Sequence, residues 1–289
     1  MENQTILERL ENKRIALAMS AGFFGFYHQA GVLKALTDAG IYPARISGNS
    51  AGALTAAMYA AGLSPSEIRD VLTSIGRKDF WDLEWPLDRR GAGILGGNKF
   101  QKELERVLPV KNFESCRIPL TVGAYDIDVG RMKYFSSGEL IPAVYASCAI
   151  PYLFKPIYIK ERRFWDGGFA EKTPLAPFIK ADDIDTVVIS LLPPRERELK
   201  KREGLLSFIP SFASLFADIP NEERKERDSI AVSLLRESGK EVITLAPARL
   251  PLGPFSLEKA QESFTQGEQG AIELLKSVES ANADVWGLG

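Results

Sequence analysis

Two strand-turn-helix units whose turns leave almost no room for side chains constrain this chain more than any other feature. Ile15 to Met19 is a continuous apolar run of strand length. It is followed by the small residues Ser20-Ala21-Gly22 and then by a helical pattern through Val32, Leu33 and Leu36 to Gly40. Ala44 to Gly48 repeats the short strand, and Ser50 to Ala61, rich in Ala, Leu and Met, repeats the helix before Gly62 stops it. Short apolar strands that alternate with helices bury both sheet faces, which is the pattern of βαβ units around parallel strands. The expected fold class is therefore α/β, three layers deep (α/β/α), with a mainly parallel central sheet.

The remaining pattern fits that frame. Residues 4–12 place Ile6, Leu7 and Leu10 on one helical face, and Ser64-Pro65-Ser66-Glu67 is a capping box with proline at the first helical position. Further strands are expected at 120–126, 132–135, 157–164, 186–192 and 242–246, and helices at 99–107, 139–147, 222–237 and 257–279. Gly91 to Gly97 reads as a flexible connection, and Trp81, Trp85 and Trp165 as core or pocket-wall aromatics. The 289 residues can close one sizeable core and read as a single domain. Within it, 14–192 carries the motifs, 193–228 is a lid or insertion, and 240–280 adds a C-terminal strand and helix. Composition shifts only in the insertion, where residues 205–217 carry no charge and Leu205, Phe208, Ile209, Phe212, Leu215 and Phe216 recur at helical spacing. That run reads either as an interfacial element, with its aromatics in an apolar layer, or as a core helix pair over one sheet edge.

Charge and residue counts exclude whole classes of function. Against 36 Lys and Arg stand 38 Asp and Glu, a net of -2, so no overall basic field recruits nucleic acid. The chain has one histidine, His28, and two cysteines, Cys116 and Cys148, in no zinc-binding spacing. Zinc chemistry and CxxC redox sites are excluded, and no metal or other cofactor is expected. The cysteines read as thiols of a reducing compartment or as a single disulfide. Tyr125-Asp126-Ile127-Asp128 is better explained as a strand end before the Val129-Gly130 turn than as a metal-binding pair of acids. With no apolar leader and no uncharged run near the ~20 residues of a membrane span, the expected location is cytoplasmic, and peripheral to a membrane if 205–217 is the interfacial element rather than core.

The chemistry is concentrated in three glycine-bearing turns. Gly48-Asn49-Ser50-Ala51-Gly52 is a GxSxG between an expected strand and an expected helix, a turn so tight that glycines must flank the serine and expose its hydroxyl. The helix that starts there aims free amides at the same place. A nucleophilic serine needs a base, and no histidine follows Ser50, so a Ser-acid-His order is impossible. His28, upstream on a helix, reads as a packing or site-lining residue. Asp166-Gly167-Gly168, after the strand expected at 157–164, is the best remaining base, although taken alone this tripeptide reads first as a surface turn. Ser20-Ala21-Gly22-Phe23-Phe24-Gly25 lets successive N–H groups converge on an anion. It lacks the Lys or acidic ribose partner of a nucleotide loop, so an oxyanion hole is the better reading.

In that order, Gly22 and Gly25, Ser50 within Gly48 to Gly52, and Asp166 with Gly167 and Gly168 resemble the motifs of the patatin-like phospholipase family. Ala30 to Leu36, Ser47 to Ala53, Gly93 to Phe100 and Ala146 to Pro151 are similar as well, and the likeness runs over residues 14–192. The resemblance implies a patatin-like fold and a Ser50–Asp166 dyad with oxyanion donors at Gly22, Phe23 and Ala51. It further implies hydrolysis of fatty-acyl esters of phospholipids, lysophospholipids or acylglycerols through an acyl-enzyme. Two departures stand out. Ser20, Ala21 and Phe24 stand where the usual loop has two glycines and a cation, and Gly22 to His28 of this chain is similar instead to the triacylglycerol-lipase and adiponutrin branch. Lys172-Thr173-Pro174 replaces the usual Asn-x-Pro. A catalytically inert lipid- or protein-binding member and a lipid acyltransferase are the competing readings.

Overall fold

The computed structural model describes residues 4–85, 87–88, 91–193, 221–250, 252–253 and 256–278. The element expected at 205–217, and most of the lid expected at 193–228, lie outside the described residues.

The strands are β1 (Ile15–Met19), β2 (Arg45–Asn49), β3 (Leu87–Asp88), β4 (Gly91–Leu95), β5 (Leu120–Asp126), β6 (Arg131–Phe135), β7 (Tyr152–Phe154), β8 (Ile157–Ile159), β9 (Arg162–Asp166), β10 (Thr186–Ser190) and β11 (Glu241–Leu245). The helices are α1 (Ile6–Leu10), α2 (Phe26–Asp38), α3 (Ala51–Ala60), α4 (Pro65–Ser74), α5 (Arg77–Phe80), α6 (Asn98–Val107), α7 (Leu140–Cys148), α8 (Ala176–Ile179), α9 (Asn221–Glu237) and α10 (Ala260–Lys276). The main sheet runs β11-β10-β1-β2-β5-β9-β8, with β6 also on β5. From β11 to β5 every neighbouring pair is parallel, whereas β6, β9 and β8 join antiparallel. The expected three-layer fold with a mainly parallel sheet is what the chain forms.

Alternation along the central strands explains the layers. In β1, Ile15, Leu17 and Met19 join one core with Leu33, Leu36, Met58, Leu140 and Phe264, drawn from α2, α3, α7 and α10. Ala16 and Ala18 face the other way, into a second core with Phe178 of α8, Val187 and Ile189 of β10, and Val232 and Leu235 of α9. The capping box expected at Ser64 is present, with Ser64 and Glu67 exchanging hydrogen bonds before Pro65. Both cysteines are free thiols.

Three expectations need correction. The strand expected at 157–164 is a hairpin of β8 and β9, whose two-residue turn, Lys160-Glu161, has φ 47° and 65°. Both turn residues are left-handed, as a type I′ turn requires, yet neither is the Gly, Asn or Asp that usually announces one. Gly91 to Gly97 is no loose connection: it holds β4, which pairs in parallel with β7. A Cβ at Gly93 would stand 2.5 Å from the backbone nitrogen of Lys155, so the glycine serves close strand approach. Trp85 is neither core nor pocket wall, being 80% exposed, while Trp81 and Trp165 pack partly buried against the core.

Candidate active site

Parallel strands β1, β2 and β10 bring their carboxyl ends together, where turns in an α/β sheet collect functional groups. β2 ends at Asn49 and α3 begins at Ala51, so Ser50 is the whole turn. Its backbone stands at φ 52° and ψ -120°, a conformation that costs an L-residue about 1–3 kcal/mol and persists only where surroundings enforce it. The enforcement is visible. The Ser50 N–H donates to Ser147 Oγ at 2.9 Å, and its carbonyl accepts from Leu54 N–H at 3.0 Å and from Cys148 Sγ at 3.3 Å.

The flanking glycines are required by contact distance. A Cβ on Gly48 would lie 2.4 Å from the carbonyl of Gly52, and one on Gly52 would lie 2.2 Å from the carbonyl oxygen of Met19 in the central strand β1. Neither neighbour is a side chain able to swing aside. Gly52→Ala is therefore expected to lower stability by at least ~3 kcal/mol, at the upper end of ordinary overpacking, and to abolish any Ser50-dependent reaction. Denaturant unfolding checks this: a midpoint unchanged from wild type would contradict the close approach.

Asp166 reaches Ser50 through strand register. Asn49 of β2 lies opposite Gly123 of β5, and Asp166 of β9 lies opposite the next residue, Ala124. Because β9 runs antiparallel to β5, its carboxyl end meets the carboxyl end of β2. The Asp166 side chain accepts from Gly168 N–H at 2.7 Å, and the Ser50 hydroxyl lies within hydrogen-bonding reach. Only 5% of Asp166 is exposed, and burial pushes its pKa up to about 7, against the opposing pull of the Ser50 and Gly168 hydrogen bonds and of the Arg224 charge. A carboxylate with that basicity is suited to take a proton at neutral pH.

The loop after β1 lies alongside. Ala21 N–H donates to the Lys172 carbonyl at 2.7 Å, and Gly25 N–H donates to the Gly22 carbonyl at 2.8 Å. Among the described residues, the N–H groups of Gly22 and Ala51 have no acceptor within the protein. Phe23 follows Gly22 in the same turn, so the three expected oxyanion donors sit on the loop and the helix start that flank Ser50. Gly22 and Gly25 leave the space that the Leu192 side chain fills, and Gly167 lies against the Gly123 carbonyl.

A profile of the patatin-like phospholipase family matches residues 17–179, which hold all three turns. This chain belongs to that family. An uncharacterised NTE family protein of Mycobacterium tuberculosis is 31% identical over 178 residues, covering 62% of this chain and 49% of its own length. The chain thus spans about half the length of that relative. A lysophospholipase of Coccidioides immitis is 25% identical over 173 residues, 59% of this chain and 11% of the fungal protein. Among solved structures, VipD of Legionella pneumophila shares 16% identity with a TM-score of 0.46, covering 91% of this chain and 67% of VipD.

The loop departures of this patatin-like chain have physical explanations. Ser20 is fully buried, and its Oγ accepts from Leu192 N–H at 2.8 Å, so the hydroxyl caps the end of β10. Ala21 packs its methyl against Gly168: a Cβ there would stand 2.5 Å from the Ala21 Cβ. The altered Lys172-Thr173-Pro174 stretch acts through its backbone, with Lys172 O holding Ala21 and Pro174 O accepting from Ser47 Oγ at 2.8 Å. Phe24 lies in an aromatic cluster with Phe23, Phe26 and Phe80.

His28 is buried, and desolvation, then the Arg249 charge, push its pKa down to about 4, so it is a neutral interior group. Its electrostatic neighbours are Arg249, Ser263 and Pro247, not the dyad. Asp126 is a turn acid, its Oδ1 accepting the N–H groups of Asp128 and Val129 at 3.1 Å each. Three residues support the site with little or no mark in the sequence: Ser147, Gln29 and Arg224. Gln29 Nε2 donates to the Ser20 carbonyl at 3.1 Å and the Ser190 carbonyl at 3.2 Å, tying the loop to β10. Ser147 carried a faint signal, since Ala146-Ser147-Cys148 is one of the family-like stretches; Gln29 and Arg224 carried none. Among the described residues, no cluster of His, Cys, Asp and Glu is placed to hold a metal ion. No described helix is long and apolar enough to cross a membrane.

Proposed function

We propose that this chain is a serine acyl hydrolase that cleaves fatty-acyl esters of lipids, of the phospholipid, lysophospholipid or acylglycerol class. The observation that carries the reading is Ser50, held in a strained elbow within reach of a buried carboxylate whose pKa lies about 7. Membership of a lipid acyl hydrolase family supports it. Ser50 Oγ attacks the ester carbonyl carbon while Asp166 accepts its proton. The oxyanion draws on the N–H groups of Gly22, Phe23 and Ala51, the alcohol leaves with the proton from Asp166, and the acyl group stays on Ser50. Water then attacks the acyl-enzyme and gives its proton to Asp166, which passes it to Ser50 Oγ as the acyl–oxygen bond breaks and the fatty acid departs.

The test is covalent and pH-resolved. A fluorophosphonate probe is expected to modify the peptide containing Ser50, and the labelling rate is expected to follow the ionised fraction of Asp166. The sign is fixed by the base being active only without its proton: with a pKa about 7, the rate falls about tenfold per unit well below that pH and levels off above it. A folded protein that leaves the probe unreacted across this range would sink the hydrolase reading and favour an inert binding module.

A further inference from the structure

We propose that Arg224 is a positioning residue of this site: from the start of α9 its guanidinium clamps the turn after Asp166 and fixes a positive charge beside the carboxylate, favouring the form that takes the Ser50 proton. The proposal rests on the hydrolase reading above.

The turn that follows Asp166 is short and rich in glycine. Gly167–Phe169 is a single 3-10 turn with Asp166 as its N-cap, and two of its three residues are glycines, the residue type with most conformational freedom to lose. Gly168 does two things at once. Its N–H donates to Asp166 Oδ1 at 2.7 Å, and its carbonyl accepts from Arg224 Nη1 at 2.8 Å. A guanidinium keeps its charge at every relevant pH and is less strongly hydrated than an ammonium, so it serves as a fixed, half-buried cation.

The surroundings place that charge with respect to the base. Facing Asp166 are the Ser50 hydroxyl, the Cys148 thiol of α7 and Arg224. Burial, then Asp166, push the Cys148 thiol well above its ordinary range, so it stays protonated and neutral. Among the described residues, Arg224 is the cation that acts on Asp166, and it also acts on Asp228, one turn further along α9. Behind Asp228 lie Glu171 and Lys172. Glu171 is in turn bonded by the Tyr134 hydroxyl. Arg224 lies beyond residue 179, where the family match ends, so the clamp comes from a part of the chain the shared motifs do not reach.

The experiment compares wild type, Arg224→Gln, Arg224→Met and Arg224→Lys in hydrolysis of a p-nitrophenyl ester, read at the wavelength where phenol and phenolate absorb equally. Removing a nearby positive charge raises a carboxyl pKa, here by about one unit. In the two neutral variants the acid limb of kcat/KM should move up by that unit, so activity at pH 6 falls about tenfold while activity at pH 9 stays within about twofold of wild type. Arg224→Lys should return the limb toward its wild-type position. A limb that stays put in the neutral variants, whether activity falls uniformly or not at all, overturns the proposal. If wild type shows no Ser50-dependent hydrolysis, the hydrolase reading is what fails. The carbon-13 titration of the Asp166 carboxyl, assigned by its loss in Asp166→Asn, then decides: a midpoint raised in Arg224→Gln or Arg224→Met supports the clamp, and an unmoved one rejects it.

Discussion

Ser50→Ala should lower ester hydrolysis by at least about 10,000-fold in kcat/KM while leaving the denaturant midpoint at or slightly below that of wild type. The size of the loss follows from there being no substitute nucleophile. Cys148, whose sulfur donates to the Ser50 carbonyl, is buried and held far above its ordinary thiol range by desolvation, so it offers no thiolate. The small effect on stability follows from what the hydroxyl does not do. The elbow is held by the Ser50 backbone, through the N–H to Ser147 and the carbonyl to Leu54, and alanine keeps both bonds. Alanine also keeps the strain, since its Cβ meets the same positive φ as that of serine. Parallel kinetics and unfolding on one preparation check both halves. Residual activity within tenfold of wild type would place the reaction elsewhere on the molecule.

How much of this was legible depends on whether a feature is written locally. β5 was bounded correctly at both ends because an apolar run between turn residues is a local signal, and the elbow was found because GxSxG is contiguous. The β8–β9 hairpin reads as one strand in the sequence because Lys160-Glu161 lacks the residues that usually mark such a turn; the fold imposes positive φ on both. β4 is hidden in the sequence because glycines at 91, 93, 96 and 97 suggest a loop, and only the partner β7 shows that Gly93 admits a neighbouring strand. Asp166 was recognisable because two glycines follow it, yet its closeness to Ser50 depends on β9 pairing antiparallel with β5, which no local pattern states. Gln29 and Arg224 lie further still from local signal. The first is a helix residue whose value depends on two carbonyls of other elements, and the second depends on how α9 docks.

Asp166→Asn should separate activity from stability in opposite directions. An amide cannot accept the Ser50 proton, so hydrolysis should fall by about 100- to 10,000-fold, the usual contribution of a general base. Stability should rise, and by more at higher pH. The Asp166 pKa is raised from 3.8 in the unfolded chain to about 7 by burial. The folded protein therefore holds a proton that the unfolded chain releases, and that contribution is present in full below pH 3.8 and lost as pH rises toward about 7. By linkage the loss amounts to about 4 kcal/mol once the pH exceeds both values. Asparagine never ionises and keeps a carbonyl oxygen for the Gly168 N–H, so it escapes the loss. Urea unfolding of wild type and Asp166→Asn at pH 4 and pH 8 measures the difference directly. The gap should widen across that interval and level off above it. A gap independent of pH would mean that Asp166 is ionised in the folded state throughout, and therefore too weak a base to take the serine proton unaided. The same burial that makes this carboxylate basic enough to act is what makes its ionised form costly to keep folded, and one substitution exposes both effects.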